Sequence, residues 1–143
     1  MPIIKFSIPG PPVGKARPRV VRMKNGHSMS FTPDKTVAYE ELVRLRFKES
    51  LRSCDFQPLE GALFIKIFAG YPVPKSASKK HKTAMLAGME HPTKKPDWDN
   101  IGKIVCDALN GIAYKDDSQI VESQMRKRYI NGPGIVEVWI SNL

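Results

Sequence analysis

The sequence lacks most of what a disulfide scaffold, a zinc module or a membrane protein requires. Its 143 residues include two cysteines, Cys54 and Cys106, which are too few and too isolated for a disulfide framework or a Cys-rich zinc site. Cys106 reads instead as a small apolar helix residue. The three histidines, His27, His81 and His91, have no partner at nucleophile-to-base spacing. No apolar run approaches the roughly 20 residues that span a bilayer, and the start, MPIIKFSIPGPP, lacks the basic-then-apolar layout of a signal peptide. The expectation is a soluble, intracellular protein. Acid is also scarce, with 14 acidic against 23 basic residues, a formal net charge of +9 and a pI near 9.7. Such a balance favours a polyanionic partner, nucleic acid ahead of an anionic membrane.

A hydrophobic content of 41% over this length suits one domain with one sizeable core. Ile3 to Ile8 alternates, with Ile4, Phe6 and Ile8 on one face, and predicts a first strand. The cluster PGPPVGK then opens a basic loop through Lys15, Arg17, Arg19, Arg22 and Lys24. Proline and glycine are expected to keep this loop irregular and its cations exposed, as a phosphate-contacting arm. Thr32-Pro33-Asp34 has the order N-cap, proline at the first helical position, acid in the first turn. Tyr39, Leu42, Val43, Phe47 and Leu51 follow at helical spacing as a buried stripe.

Leu63 to Phe68 is apolar nearly throughout, which predicts a central strand covered on both faces. SASKKHKTAMLAGM predicts a short helix with Ser76 as its cap and Gly88 near its end, carrying a second cationic cluster at Lys79, Lys80 and Lys82. Strands near Gln119 to Ile130 and from Ile135 to Ile140, joined by NGPG, predict a C-terminal β-hairpin. Arg126, Lys127 and Arg128 form a third group of cations.

Against this basic background the run KPDWDNIGKIVCDALNG concentrates acid at Asp97 and Asp99. Ile101, Ile104, Val105, Ala108, Leu109 and Ile112 mark an amphipathic helix ended by Asn110-Gly111. If Asp97 to Asp99 is extended, both carboxylates lie on one side and Trp98 on the other. Lys103 is one helical turn beyond Asp99, and Asp116-Asp117 follows between this helix and the next strand. Taken singly, these acids are an N-cap, an ion pair and a turn. Brought together, carboxylates repel unless a cation joins them, and an all-oxygen set suits Mg²⁺ or Mn²⁺, the ions of phosphodiester hydrolysis.

The run KPDWDNIGKIVCDALNGIAYKDDSQI resembles the signature region of the RusA family of Holliday junction resolvases, Lys-Pro-Asp-x-Asp-Asn-x-x-Lys, then Asp-Ala-Leu-Asn-Gly, then Asp-Asp-x-Gln. GKARPR at Gly14 to Arg19 and FTPDKTVAYE at Phe31 to Glu40 match the family's basic loop and first helix. The resemblance implies a small mixed α+β protein that acts as a homodimer on four-way junction DNA and cuts with Mg²⁺ or Mn²⁺. By position it assigns metal binding and catalysis to Asp97, Asp99 and Asp117, with Lys103 also needed and Asp116 a weaker candidate. Trp98 stands where an aliphatic residue is frequent in the family. Lys15, Arg17, Arg19, Lys79, Lys80 and Lys82 would contact DNA, and a phage or prophage origin is plausible. The rival readings are a structure-tolerant nuclease on flaps or forks and a non-catalytic junction-binding module.

Overall fold

The computed structural model describes residues 3–53 and 55–143. The first alternating run becomes strand β1 (Ile3–Pro9), with Phe6 and Ile8 buried. The apolar run becomes β4 (Leu63–Pro72), and the C-terminal third supplies β5 (Ile120–Ile130) and β6 (Ile135–Asn142). These four form a mixed sheet in the order β1-β6-β4-β5. The pairs β1–β6 and β6–β4 are antiparallel, and β4–β5 is parallel.

The expected C-terminal hairpin is therefore not formed, because β4 lies between β5 and β6. Neighbouring strands are only about 4.8 Å apart, so a four-residue connection can equally reverse onto the adjacent strand or bridge across one. Here the connection bridges the end of β4 at Gly70, where a Cβ would lie 2.9 Å from Ile130 Cδ1 and 3.1 Å from Ile135 Cγ2. A larger residue at Gly70 would block the two strand ends from closing over it.

Helices α1 (Asp34–Ser50) and α3 (Trp98–Leu109) bury their stripes in one core with the sheet. Tyr39, Val43 and Phe47 meet Ile101, Ile104, Val105, Ala108 and Leu109 over Ile65, Ile67 and Val138, while Leu42 and Leu51 stay at the rim. Phe47 is held edge-on between Phe6 and Phe56, each with ring centroids 5.6 Å away. The cap of α1 lies one residue later than expected. Pro33 is the N-cap, its carbonyl accepting from the amides of Thr36 (3.0 Å) and Val37 (3.2 Å). On α2 (Lys79–Leu86) the capping side chain is Ser78, which accepts from His81 N at 3.3 Å, and not Ser76.

Only one face of β4 is covered by helices. On the other, Phe64, Lys66 and Phe68 are half-buried beside Trp139, whose ring carries Lys5 Nζ at 5.3 Å and Lys66 Nζ at 5.0 Å. Two aromatics on an open face made the run look covered on both sides, and lysine stems shield that face instead. The basic arm is not irregular throughout either. Arg19–Arg22 (β2) and Ser28–Phe31 (β3) pair as an exposed two-stranded ribbon. Asn25-Gly26, with Gly26 at φ +84°, turns the chain between the β-branched pair Val20-Val21 and its partner strand. No helix among the described residues is long and apolar enough to cross a membrane.

Candidate active site

The start of α3 sets the geometry. Asp97 is its N-cap, with extended backbone (φ −71°, ψ 151°) and a carbonyl that accepts from Ile101 N at 3.0 Å. Its carboxylate makes no capping bond to the helix. Trp98 and Asp99 are already helical, so the extended Asp97–Trp98–Asp99 arrangement does not occur. Helical spacing instead lines up Asp99, Gly102, Lys103 and Cys106 along α3. They form one wall of a cleft of about 340 Å³ whose opposite side includes Asp117 and residues Ser123 and Gln124 of β5.

Asp99, Lys103 and Asp117 thus meet in one cleft, with Trp98, 64% exposed, at its edge. Asp97 opens onto a second hollow of about 780 Å³, which it shares with Lys15, Arg17 and Arg19 of the arm and Lys35 of α1. Among the described residues none of these three acids has a side-chain hydrogen bond or ion pair. The two acids of KDDS divide their roles. Asp116 accepts from Ser118 N at 3.2 Å and caps a single 3₁₀ turn (Asp117–Gln119), and hydrogen bonding from the Ser118 side chain, then from its amide, holds the carboxyl below the ordinary value. Asp117 is left to face the cleft.

Other residues hold these elements in place. Gln119 Nε2 donates to the carbonyls of Leu59 (2.9 Å) and Gly61 (3.1 Å), while its Oε1 accepts from the amides of Lys115 (2.9 Å) and Asp116 (3.2 Å). Tyr71 donates its hydroxyl to the Pro96 carbonyl at 2.6 Å, just before Asp97. Burial, and then the charge of Asp97, pushes the Tyr71 phenol up to about 12. Burial likewise pushes the Cys106 thiol up to about 11, against the hydrogen bond of Tyr114 and with the charges of Asp117 and Asp107 adding to it. Sequence reasoning passed over Tyr71, Gln119, Glu40 and Asp107. Of these, Gln119, Asp107 and Glu40 stood within the stretches that resemble the family, and Tyr71 did not.

The cations fall into two groups. Arg17, Arg19, Lys79 and Lys80 are exposed and Lys82 is half-buried, the last three on α2. Lys15 is different: its Nζ lies 2.9 Å from Glu40 Oε1 and 3.4 Å from Asp107 Oδ2. Lys127 is also engaged, donating to the Lys94 carbonyl at 2.8 Å over the Tyr71 ring. Lys103 Nζ is 4.0 Å from Asp107 and forms no ion pair with Asp99.

Among the described residues no three His, Cys, Asp or Glu side chains stand close enough to form a complete metal site. Mg²⁺ does not require one, because it is commonly held by one or two carboxylates together with substrate phosphates. Asp99 and Asp117 on one cleft, with neither engaged by a protein donor, fit such an ion, and the oxygen donor set does not fit zinc.

Residues 9–141 match the family model described as Endodeoxyribonuclease RusA, a span that takes in the arm, both hollows and the whole sheet except most of β1 and the final residues. The chain belongs to the RusA endodeoxyribonuclease family. As a RusA-family protein it is a hydrolase of the nuclease class. It is also similar to a Bacillus subtilis (strain 168) protein named Uncharacterized protein YqaN, with 37% identity over 145 residues that cover 98% of this chain and 96% of the relative.

Proposed function

We propose that this RusA-family protein is a homodimeric, Mg²⁺- or Mn²⁺-dependent endonuclease that resolves four-way DNA junctions in recombination and repair. The observation that carries the reading is the cleft in which Asp99, Lys103 and Asp117 converge beside a cationic arm. Asp99 and Asp117 would hold the metal, and Asp97, which opens onto the neighbouring hollow at the start of α3, is the third acid assigned to it by the family pattern. When bound, the ion would supply positive charge to the scissile phosphate and the leaving 3′ oxygen. The remaining work falls to the chain itself. Lys103, exposed on the same helix face, adds charge at the phosphate. Arg17, Arg19, Lys79, Lys80 and Lys82 neutralise backbone phosphates, each contact adding about 0.9 to the steepness of the fall in affinity with salt. Two sites related by a two-fold axis suit the two equivalent strands of a junction, and paired, symmetric nicks would leave ligatable 5′-phosphate and 3′-hydroxyl ends.

The test is cleavage of a labelled four-way junction beside a duplex and a flap of matched sequence, with Mg²⁺ and with chelator. Symmetric, metal-dependent, ligatable nicks confined to the junction are expected. Asp99→Asn and Asp117→Asn should each lower the rate by at least about a hundredfold while junction binding persists. Equal cutting of all three substrates would show a structure-tolerant nuclease. Tight binding without cutting, in every metal, would show a junction-binding module.

A further inference from the structure

Lys15 lines the same hollow as Arg17 and Arg19 of the arm, but its ammonium is engaged by two carboxylates. Its side chain is only 18% exposed and lies between Glu40 of α1, itself 12% exposed at the side chain, and Asp107 of α3. Its amide donates to the Asn100 carbonyl at 2.9 Å. The preceding residue, Gly14, sits so close to α3 that a Cβ there would be 2.9 Å from Pro96 Cβ and 3.1 Å from Asn100 Cβ. One residue thus joins the arm, α1 and the start of the helix that carries Asp99 and Lys103.

The charges argue against Lys15 as a phosphate contact. Its ammonium is already paired with two carboxylates, which leaves little of its charge for a phosphate. Burial alone would lower the Lys15 pKa, but the hydrogen bonds and charges of Glu40 and Asp107 outweigh it and hold the ammonium above its ordinary value. Asp107 Oδ2 also lies 4.0 Å from Lys103 Nζ, against 3.4 Å for Lys15, so two lysines compete for one carboxylate. The nearer lysine takes most of its charge.

We propose that Lys15 is a positioning residue for the catalytic helix. By occupying Asp107 it leaves Lys103 directed at the cleft, and through its amide and Glu40 it seats the arm against the start of α3. This assignment rests on the cleft being the hydrolytic site. Without Lys15, Asp107 would draw Lys103 along the helix and away from the phosphate.

The experiment compares Lys15→Met, Lys15→Arg and the double variant Lys15→Met/Glu40→Gln in junction cleavage, in a salt series and in thermal melts. Lys15→Met should lower kcat by on the order of tenfold to a hundredfold, with KM and its salt dependence unchanged, and Lys15→Arg should restore most of that loss. The double variant removes the uncompensated buried carboxylate of Glu40, so its stability should recover while kcat does not. A raised KM with a salt slope shallower by about 0.9 would overturn the proposal in favour of a phosphate contact. Recovery of kcat along with stability would overturn it in favour of a purely structural pair. A readout independent of DNA cleavage is acylation of Lys103 by acetic anhydride, followed by peptide mass spectrometry. It should slow in Lys15→Met as Asp107 recruits Lys103, and an unchanged rate would refute the proposal. If the parent protein cut no DNA while Lys103 acylation still slowed, the assigned activity would fail and the Lys15–Asp107–Lys103 coupling would stand.

Discussion

Gly14 brings the arm close against the start of the acidic helix, and Gly14→Ala tests that contact directly. The backbone of Gly14 is not among the positive-φ glycines, so alanine meets no conformational penalty and the whole effect comes from packing. Its Cβ would stand 2.9 Å from Pro96 Cβ and 3.1 Å from Asn100 Cβ, whereas carbon atoms settle at about 3.5–4.0 Å. Relief requires the arm to move off α3 by roughly 0.5–1 Å. Such a shift takes the Lys15 N to Asn100 O contact, now 2.9 Å, to the limit of a hydrogen bond or past it. Overpacking of this kind costs about 1–3 kcal/mol, and the weakened hydrogen bond costs about 1 more. For a chain of this size the melting temperature should fall by on the order of 5–10 °C. Thermal unfolding followed by circular dichroism measures it, and junction cleavage below the transition should be slower because the Lys15 anchor has moved. A melting temperature within a degree of the parent, with full activity, would refute the close seating of the arm on α3.

Other substitutions and conditions probe the remaining parts. Gly102→Ala should do the reverse of Gly14→Ala: its Cβ meets only Met125 Cε, at 3.7 Å, so the helix gains about 0.5–1 kcal/mol while the cleft narrows, seen as a higher melting temperature with reduced kcat/KM. Gln119→Leu removes the four hydrogen bonds that clamp the turn carrying Asp117 and should cost about 2–3 kcal/mol by urea unfolding, with a larger loss of cleavage than of junction binding. Alkaline pH should destabilise the fold. Cys106 is raised from 9.0 to about 11 and Tyr71 from 10.0 to about 12, so the unfolded chain loses those protons first. Lys15, also raised, keeps its ion-pair contribution below 10.5 and loses it as pH passes its native value. All three act in the same direction, and the urea midpoint should fall steadily above pH 9, less so in Cys106→Ala.

Much of the molecule was legible in short stretches. The stripe Ile101–Ile104–Val105–Ala108–Leu109 announced α3, and its residues are all buried. The alternation of Ile4, Phe6 and Ile8 announced β1. The Asn25-Gly26 turn flanked by Val20-Val21 would equally have announced the ribbon, had the prolines and glycines around it not been read as forbidding any strand. These signals are local, because helix and strand periods repeat within a few residues and caps and turns act over three or four.

The sequence by itself determined most of the elements, the β2–β3 ribbon excepted, and nominated the residues whose chemistry is to be tested: Asp97, Asp99, Lys103 and Asp117. Only the tertiary structure decided how they are shared out. It placed β4 between β5 and β6, gave Asp116 to a turn and Asp117 to the cleft, and turned Asp97 toward the arm. It also took Lys15 out of the exposed cations by pairing it with Glu40, 25 residues away, and with Asp107. Strand order and buried ion pairs depend on which distant segments come within a few ångströms of one another, and no local period in the chain encodes that distance.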